Sequence, residues 1–149
     1  VTEHPEVLIG RAGADHVTVR VLGLMYPGSD DYWDGNWLVS PISARLGAFT
    51  ADIGAGLRID ELRTFRRGLE RIDREQRGEA VLESMEQWIT LTVVCRPDGS
   101  LEVTGVLDDE PATGNRLTFA IPGLDQSDIR AIVGALATIE TTYPVRGRP

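Results

Sequence analysis

Carboxylates crowd two short stretches of this chain. Asp30, Asp31 and Asp34 form one cluster, and Asp108, Asp109 and Glu110 form the other. Carboxylates so spaced can ligate a hard cation through oxygen. They can also share acid and base work, as in glycoside hydrolysis. Neither cluster has the calcium-loop spacing, with glycine at position six and glutamate at twelve. An acidic loop is most often a solvated surface, so metal or catalytic use is the minority reading of both.

Other chemistries are poorly supplied. His4 and His16 are the only histidines and Cys95 the only cysteine, which is too few for a four-ligand zinc site. No Gly-x-Ser-x-Gly elbow surrounds a serine. Gly54-Ala55-Gly56 lacks the third glycine of a dinucleotide fingerprint, and no phosphate-binding P-loop occurs. Cys95 ends the apolar run Trp88 to Cys95 and reads as a small buried hydrophobe. A lone cysteine allows no intramolecular disulfide and suits a reducing compartment. No catalytic residue, cofactor or metal is therefore assigned.

The first cluster is interleaved with aromatics in Asp30-Asp31-Tyr32-Trp33-Asp34-Gly35-Asn36-Trp37-Leu38. A segment holding both indoles and carboxylates must be apolar on one side and anionic on the other. Strand alternation sends Trp37 to the core, and Trp33, in the preceding loop, is left exposed. The aspartates suit Asx-turns, and Gly35 is expected at positive φ. Asp30, Asp31, Trp33 and Asp34 are the candidate partner-contact patch, with Asp108, Asp109 and Glu110 as a second acidic edge.

The elements that must carry these residues are legible as periodicities. Val7 to Ile9 reads as an edge strand, and His16 to Leu24 as a half-buried strand with Val17, Val19 and Val21 on one face. A strand over 36 to 46 is weakened by Pro41, which cannot donate to a ladder, and Gly47 to Ile53 is a further strand. Leu62, Phe65, Leu69 and Ile72 give a helical stripe. Asp60 is its expected cap and Gly78 its end. Its outer face carries the pairs Glu70/Arg74 and Arg71/Glu75. Strands follow over Glu79 to Ser84, Trp88 to Cys95 and Leu101 to Leu107, with a hairpin at Pro97-Asp98-Gly99. Leu117 to Ile121 leads to a second helix, capped by Asp125 or Ser127, with Ile129, Ile132, Val133, Leu136 and Ile139 as its stripe. The expected fold is α+β: an antiparallel sheet of about seven strands with two amphipathic helices on one face. One domain over 1–149 is expected, with a mobile start (about 1–5) and a C-terminal tail (about 144–149).

The chain has 149 residues and a formal charge of −8, and its 15 bases are all arginine. That balance argues against a nucleic-acid footprint and favours a basic partner. No apolar run is long enough to span a bilayer and no secretory signal opens the chain, so a cytoplasmic location is expected.

Tyr26-Pro27 followed by Asp31-Tyr32-Trp33-Asp34-Gly35-Asn36-Trp37-Leu38 resembles the opening signature of the WapI-like immunity proteins of bacteria. The helix Leu62 to Ile72, the strand Trp88 to Cys95, the Pro97-Asp98-Gly99 hairpin and Leu117-Thr118-Phe119 leading to Asp125-Gln126 follow in the same order. The likeness covers most of residues 20 to 145. Ile121-Pro122-Gly123-Leu124 departs from it by lengthening the run into Asp125-Gln126. The resemblance implies a non-enzymatic cytoplasmic protein that binds and neutralises a cognate toxin, a tRNA nuclease in the best-known members. An acidic inhibitor suits a nuclease that presents basic residues to RNA. Two alternatives stand beside it: a carboxylate- or metal-dependent hydrolase, whose acidic clusters must converge, and a small-molecule binding module, which needs an apolar pocket between sheet and helices.

Overall fold

The computed structural model describes residues 3–149; Val1 and Thr2, which open the expected mobile start, lie outside the described residues. The chain runs through β1 (Glu6–Gly10), β2 (His16–Arg20), β3 (Gly23–Leu24), α1 (Tyr32–Gly35), β4 (Leu38–Val39), β5 (Ile42–Leu46) and β6 (Phe49–Ile53). It continues through α2 (Ile59–Glu75), β7 (Gly78–Glu83), β8 (Ile89–Cys95), β9 (Leu101–Asp108), β10 (Arg116–Ile121) and α3 (Gln126–Thr142).

The class is α+β, as the pattern of strands and helices implies, but the ten strands form three antiparallel sheets. One has the order β1-β2-β5-β6, the second β10-β9-β8-β7, and β3 and β4 form a small third. The expected strand over 36–46 is divided at Pro41, which lacks the N–H needed to continue the ladder. β1 is an edge strand, as expected.

Each large sheet buries alternate residues, which is the signature of one covered face. Val7, Ile9, Val17, Val19, Ile42 and Leu46 do so in the first sheet, and Leu82, Ile89, Leu91, Val93, Val103 and Phe119 in the second. The stripes of α2 (Leu62, Phe65, Leu69, Ile72) and α3 (Ile129, Ile132, Leu136, Ile139) join the same core. The helices pack on each other, α2 also against β7 and α3 against β1. Gly68 allows the α2–β7 approach: a Cβ there would lie 2.8 Å from Ala80 Cβ.

Local details correct several expectations. The N-cap of α2 is Arg58, not Asp60, and its C-cap is Gln76 in the left-handed region (φ 58°), two residues before Gly78. Asp125 caps α3, accepting from the N–H groups of Ser127 and Asp128. The ion pairs on α2 are Arg66 with Glu70 and with Glu140, and Asp73 with Arg130. The expected Glu70/Arg74 and Arg71/Glu75 pairs are not made: Arg66 takes Glu70 four residues on, and α3 alongside supplies Glu140 and Arg130. No helix among the described residues is long and apolar enough to cross a membrane.

Candidate functional site

The aromatic–acidic segment folds into a corner around one side chain. Residues 36 to 38 run antiparallel beside 57 to 59, with Leu38 N–H donating to Leu57 O (2.8 Å) and Ile59 N–H to Asn36 O (2.9 Å). Trp37 pairs with Arg58 across this bridge. Arg58 is 0% exposed. Its guanidinium donates to Trp33 O (2.6 Å), Tyr32 O (2.8 Å) and the Asp60 carboxylate (3.0 Å). The rings of Tyr32, Trp33 and Trp37 surround it, with centroids 5.1, 5.5 and 5.0 Å from its central carbon. Tyr32 and Trp33 meet edge to face at 5.0 Å.

This arrangement satisfies a buried cation. Burying a charge is costly unless it is paired and hydrogen-bonded. Here one carboxylate neutralises it, two carbonyls accept from its planar fork, and three π-faces stack on it. Trp37 is half-buried and supplies one wall.

Asn36 is the second pin and is fully buried. Its amide donates to Tyr32 O (2.8 Å) and to Arg146 O (2.9 Å), and its carbonyl accepts from Arg146 N–H (2.8 Å). Arg146 in turn donates to Ser29 O at 2.6 Å. The segment after α3, which has no helical pattern, is thereby tied to α1. Gly35 is required for a reason other than the expected positive φ. It is helical, and a Cβ on it would stand 2.7 Å from Ser29 O. Asp31 behaves as an Asx cap, accepting from Trp33 N–H (3.0 Å) and Asp34 N–H (3.1 Å).

What remains outside is a compact rim. Trp33 is 53% exposed although its inner face lies on Arg58. Asp30 and Asp34 are exposed, and neither carboxylate has a hydrogen-bond or ion-pair partner among the described residues. Asp31 is exposed with its cap made.

The second acidic stretch is used differently. Asp108 is 8% exposed and paired with Arg116 Nε at 2.9 Å. Asp109 closes the β9–β10 turn by accepting from Asn115 N–H (2.7 Å) and from the Asn115 amide (3.2 Å), contacts that hold its carboxyl below the usual range. Glu110 is exposed and its carboxylate is unpartnered among the described residues. The two stretches share no hydrogen bond or ion pair among the described residues. Nor does any group of three His, Cys, Asp or Glu stand where it could hold a metal ion among them.

A third feature escaped the sequence. Glu61 accepts from Arg58 N–H at 2.7 Å and also from Met85 N–H, so it latches the start of α2 to the β7–β8 turn. Burial pushes its carboxyl up from 4.5 to about 7, against the two N–H donors that favour the charged form. A raised folded pKa means the folded state holds the proton more tightly. The associated stability is full below pH 4.5 and is lost as pH rises through about 7. Urea titrations from pH 4.5 to 7.5 should show this fall, flattened in Glu61→Gln; an unchanged slope in that variant excludes Glu61 as its source.

Two surface clefts of about 480 Å³ border α2. One, beside β7, carries Asp60, Glu61 and Glu83, and the other, beside α3, carries Arg63, Arg66 and Glu140. Their charged walls are unlike the apolar pocket that a small-molecule module between sheet and helices needs.

Asn36 lies in the aromatic–acidic signature, but Arg58 and Arg146 were not singled out by motif or periodicity. A signal for the first does exist: Arg58 is a lone charge between Leu57 and Ile59, both buried. Its carbonyl partners, Trp33 and Tyr32, lie 25 and 26 residues upstream, beyond the reach of any local pattern.

No curated protein matches the chain significantly. The model of the immunity protein WapI-like family matches residues 8–144, from β1 to just past α3. That span includes the aromatic corner, Arg58 and the expected order of helices and hairpins, and the chain belongs to the immunity protein WapI-like family.

Proposed function

We propose that this protein binds and neutralises a cognate bacterial toxin without a catalytic step of its own. The partner would meet the rim formed by Asp30, Asp31, Trp33 and Asp34, with Asp108, Asp109 and Glu110 as a second acidic edge. Family membership supports the class of activity. The observation that carries the site is Trp33, half exposed between carboxylates without partners yet fixed from beneath by Arg58. A large aromatic held rigid before binding loses little entropy on contact, which is what an interface anchor requires.

The charge of −8 favours a partner with a basic surface, and a nuclease that grips RNA is one. In the second edge, Glu110 offers the free charge, while Asp108 and Asp109 hold the turn that presents it. The test is co-expression with a toxin domain encoded beside this gene. Restored growth, with a stable complex on purification, is expected. Undiminished toxicity at equal levels of folded protein contradicts the proposal.

A further inference from the structure

β6 is an open sheet edge. The β5–β6 hairpin turns through Gly47 (φ 62°) and Ala48, and Leu46 pairs with Phe49 across it. In a two-residue hairpin the closing pair is hydrogen-bonded, and bonded pairs then alternate. Phe49, Ala51 and Ile53 therefore direct their backbone groups to β5. Thr50 and Asp52 direct theirs away from it. The other side of β5 agrees, since Arg20 N–H donates to Pro41 O, which places the bonds of Ser43 and Arg45 toward β2. β6 pairs with no strand but β5, and the outward N–H groups of Thr50 and Asp52 have no partner among the described residues.

Beside this edge lies a groove of about 200 Å³, walled by Phe49 and Ala51 on one side and by Leu107, Leu117, Asp109 and Arg116 on the other, the two charged side chains already engaged by Asn115 and Asp108. Phe49 is 64% exposed, the most exposed large apolar side chain described. Strand alternation puts Phe49, Ala51 and Ile53 on the groove side, and Thr50 and Asp52 on the opposite face. A strand added to β6 would thus set one set of alternate side chains against Phe49 and Leu117. It would set the other beside the carboxylate of Asp52.

We infer that β6 is a docking edge for an extended segment of the partner protein, a strand alternating apolar and basic residues. This rests on the toxin-binding reading for its partner and adds a second point of contact to the rim. The unpaired N–H and C=O groups specify an extended backbone, the groove specifies apolar residues at every second position, and Asp52 on the opposite face specifies cations at the positions between. A second copy of this chain fits less well, because each copy carries −8.

The probe is a ten-residue synthetic peptide alternating valine and arginine, titrated into the full chain and followed by amide chemical shifts. Shifts are expected at residues 49–53 and 116–118, with slowed hydrogen exchange at Thr50 and Asp52. They should vanish for the same peptide with alternate amides N-methylated, which leaves the protein untouched. Thr50→Pro, which removes an outward N–H at an edge position where proline is tolerated, should weaken binding about tenfold at unchanged melting temperature. No shifts at β6, or equal binding of the methylated peptide, overturns the inference. So does a dimer of the chain alone that Thr50→Pro dissociates, since the edge then belongs to a second copy. Protection in the co-expression assay that survives Thr50→Pro together with failed peptide binding would leave the toxin-binding reading standing and remove β6 from it.

Discussion

Replacing Arg58 by alanine is expected to destabilise the fold by about 3–5 kcal/mol, the range seen when one member of a buried charged network is removed. For a chain of this length that corresponds to a fall in melting temperature of roughly 10 °C. Three losses combine. Asp60 loses its cation, the Trp33 carbonyl loses its 2.6 Å donor, and three rings lose the flat group they stack on. Arg58→Lys should recover little, because a point ammonium cannot span two carbonyls and a carboxylate in one plane. Arg58→Met should fall between, since it fills the cage but donates nothing. Urea denaturation of the three variants measures this, and a loss under about 1 kcal/mol for alanine would show the cage to be incidental.

Reversing the charge of the rim is expected to act the other way round. In Asp30→Arg/Asp34→Arg, stability should change by no more than about 0.5 kcal/mol, because both carboxylates are exposed and unpartnered. Toxin affinity should fall by about 2 kcal/mol or more, roughly 30-fold, because like charges would then face the basic surface proposed for the partner. The loss should appear largely in the association rate and shrink as salt is raised. Trp33→Ala cannot separate the two roles so cleanly, since its inner face lies on Arg58 while its outer face is free.

These opposed expectations divide the Asp30 to Leu38 segment, and they show which parts of the molecule local sequence could reveal. The stripes of α2 and α3 and the alternation of β2 and β9 were legible, because burial on one face writes a period into the chain. The Asp31 cap and the Pro97-Asp98-Gly99 turn were legible because their chemistry is local. The pairs of Arg66 with Glu140 and of Asp73 with Arg130 were not, because Glu140 and Arg130 sit on α3. The α2 cap was misassigned for a local reason: Asp60 is drawn to the guanidinium of Arg58, and Glu61 takes the backbone N–H. Gly35 was read as a turn glycine when it is a contact glycine, a difference visible only once Ser29 is placed beside it. Of the candidate contact residues, Trp33, Asp30 and Asp34 emerge exposed as expected. Asp108, assigned from its acidic neighbours alone, is buried against Arg116.

The corner's interior builds the fold, and its rim is the surface proposed to meet the toxin. The most direct measurement is the affinity of purified Asp30→Arg/Asp34→Arg for the toxin domain encoded beside the gene, made alongside its melting temperature. The expected result is a roughly 30-fold loss of affinity with an unchanged melting temperature. Wild-type affinity at an unchanged melting temperature contradicts the claim and moves the interface elsewhere on the molecule.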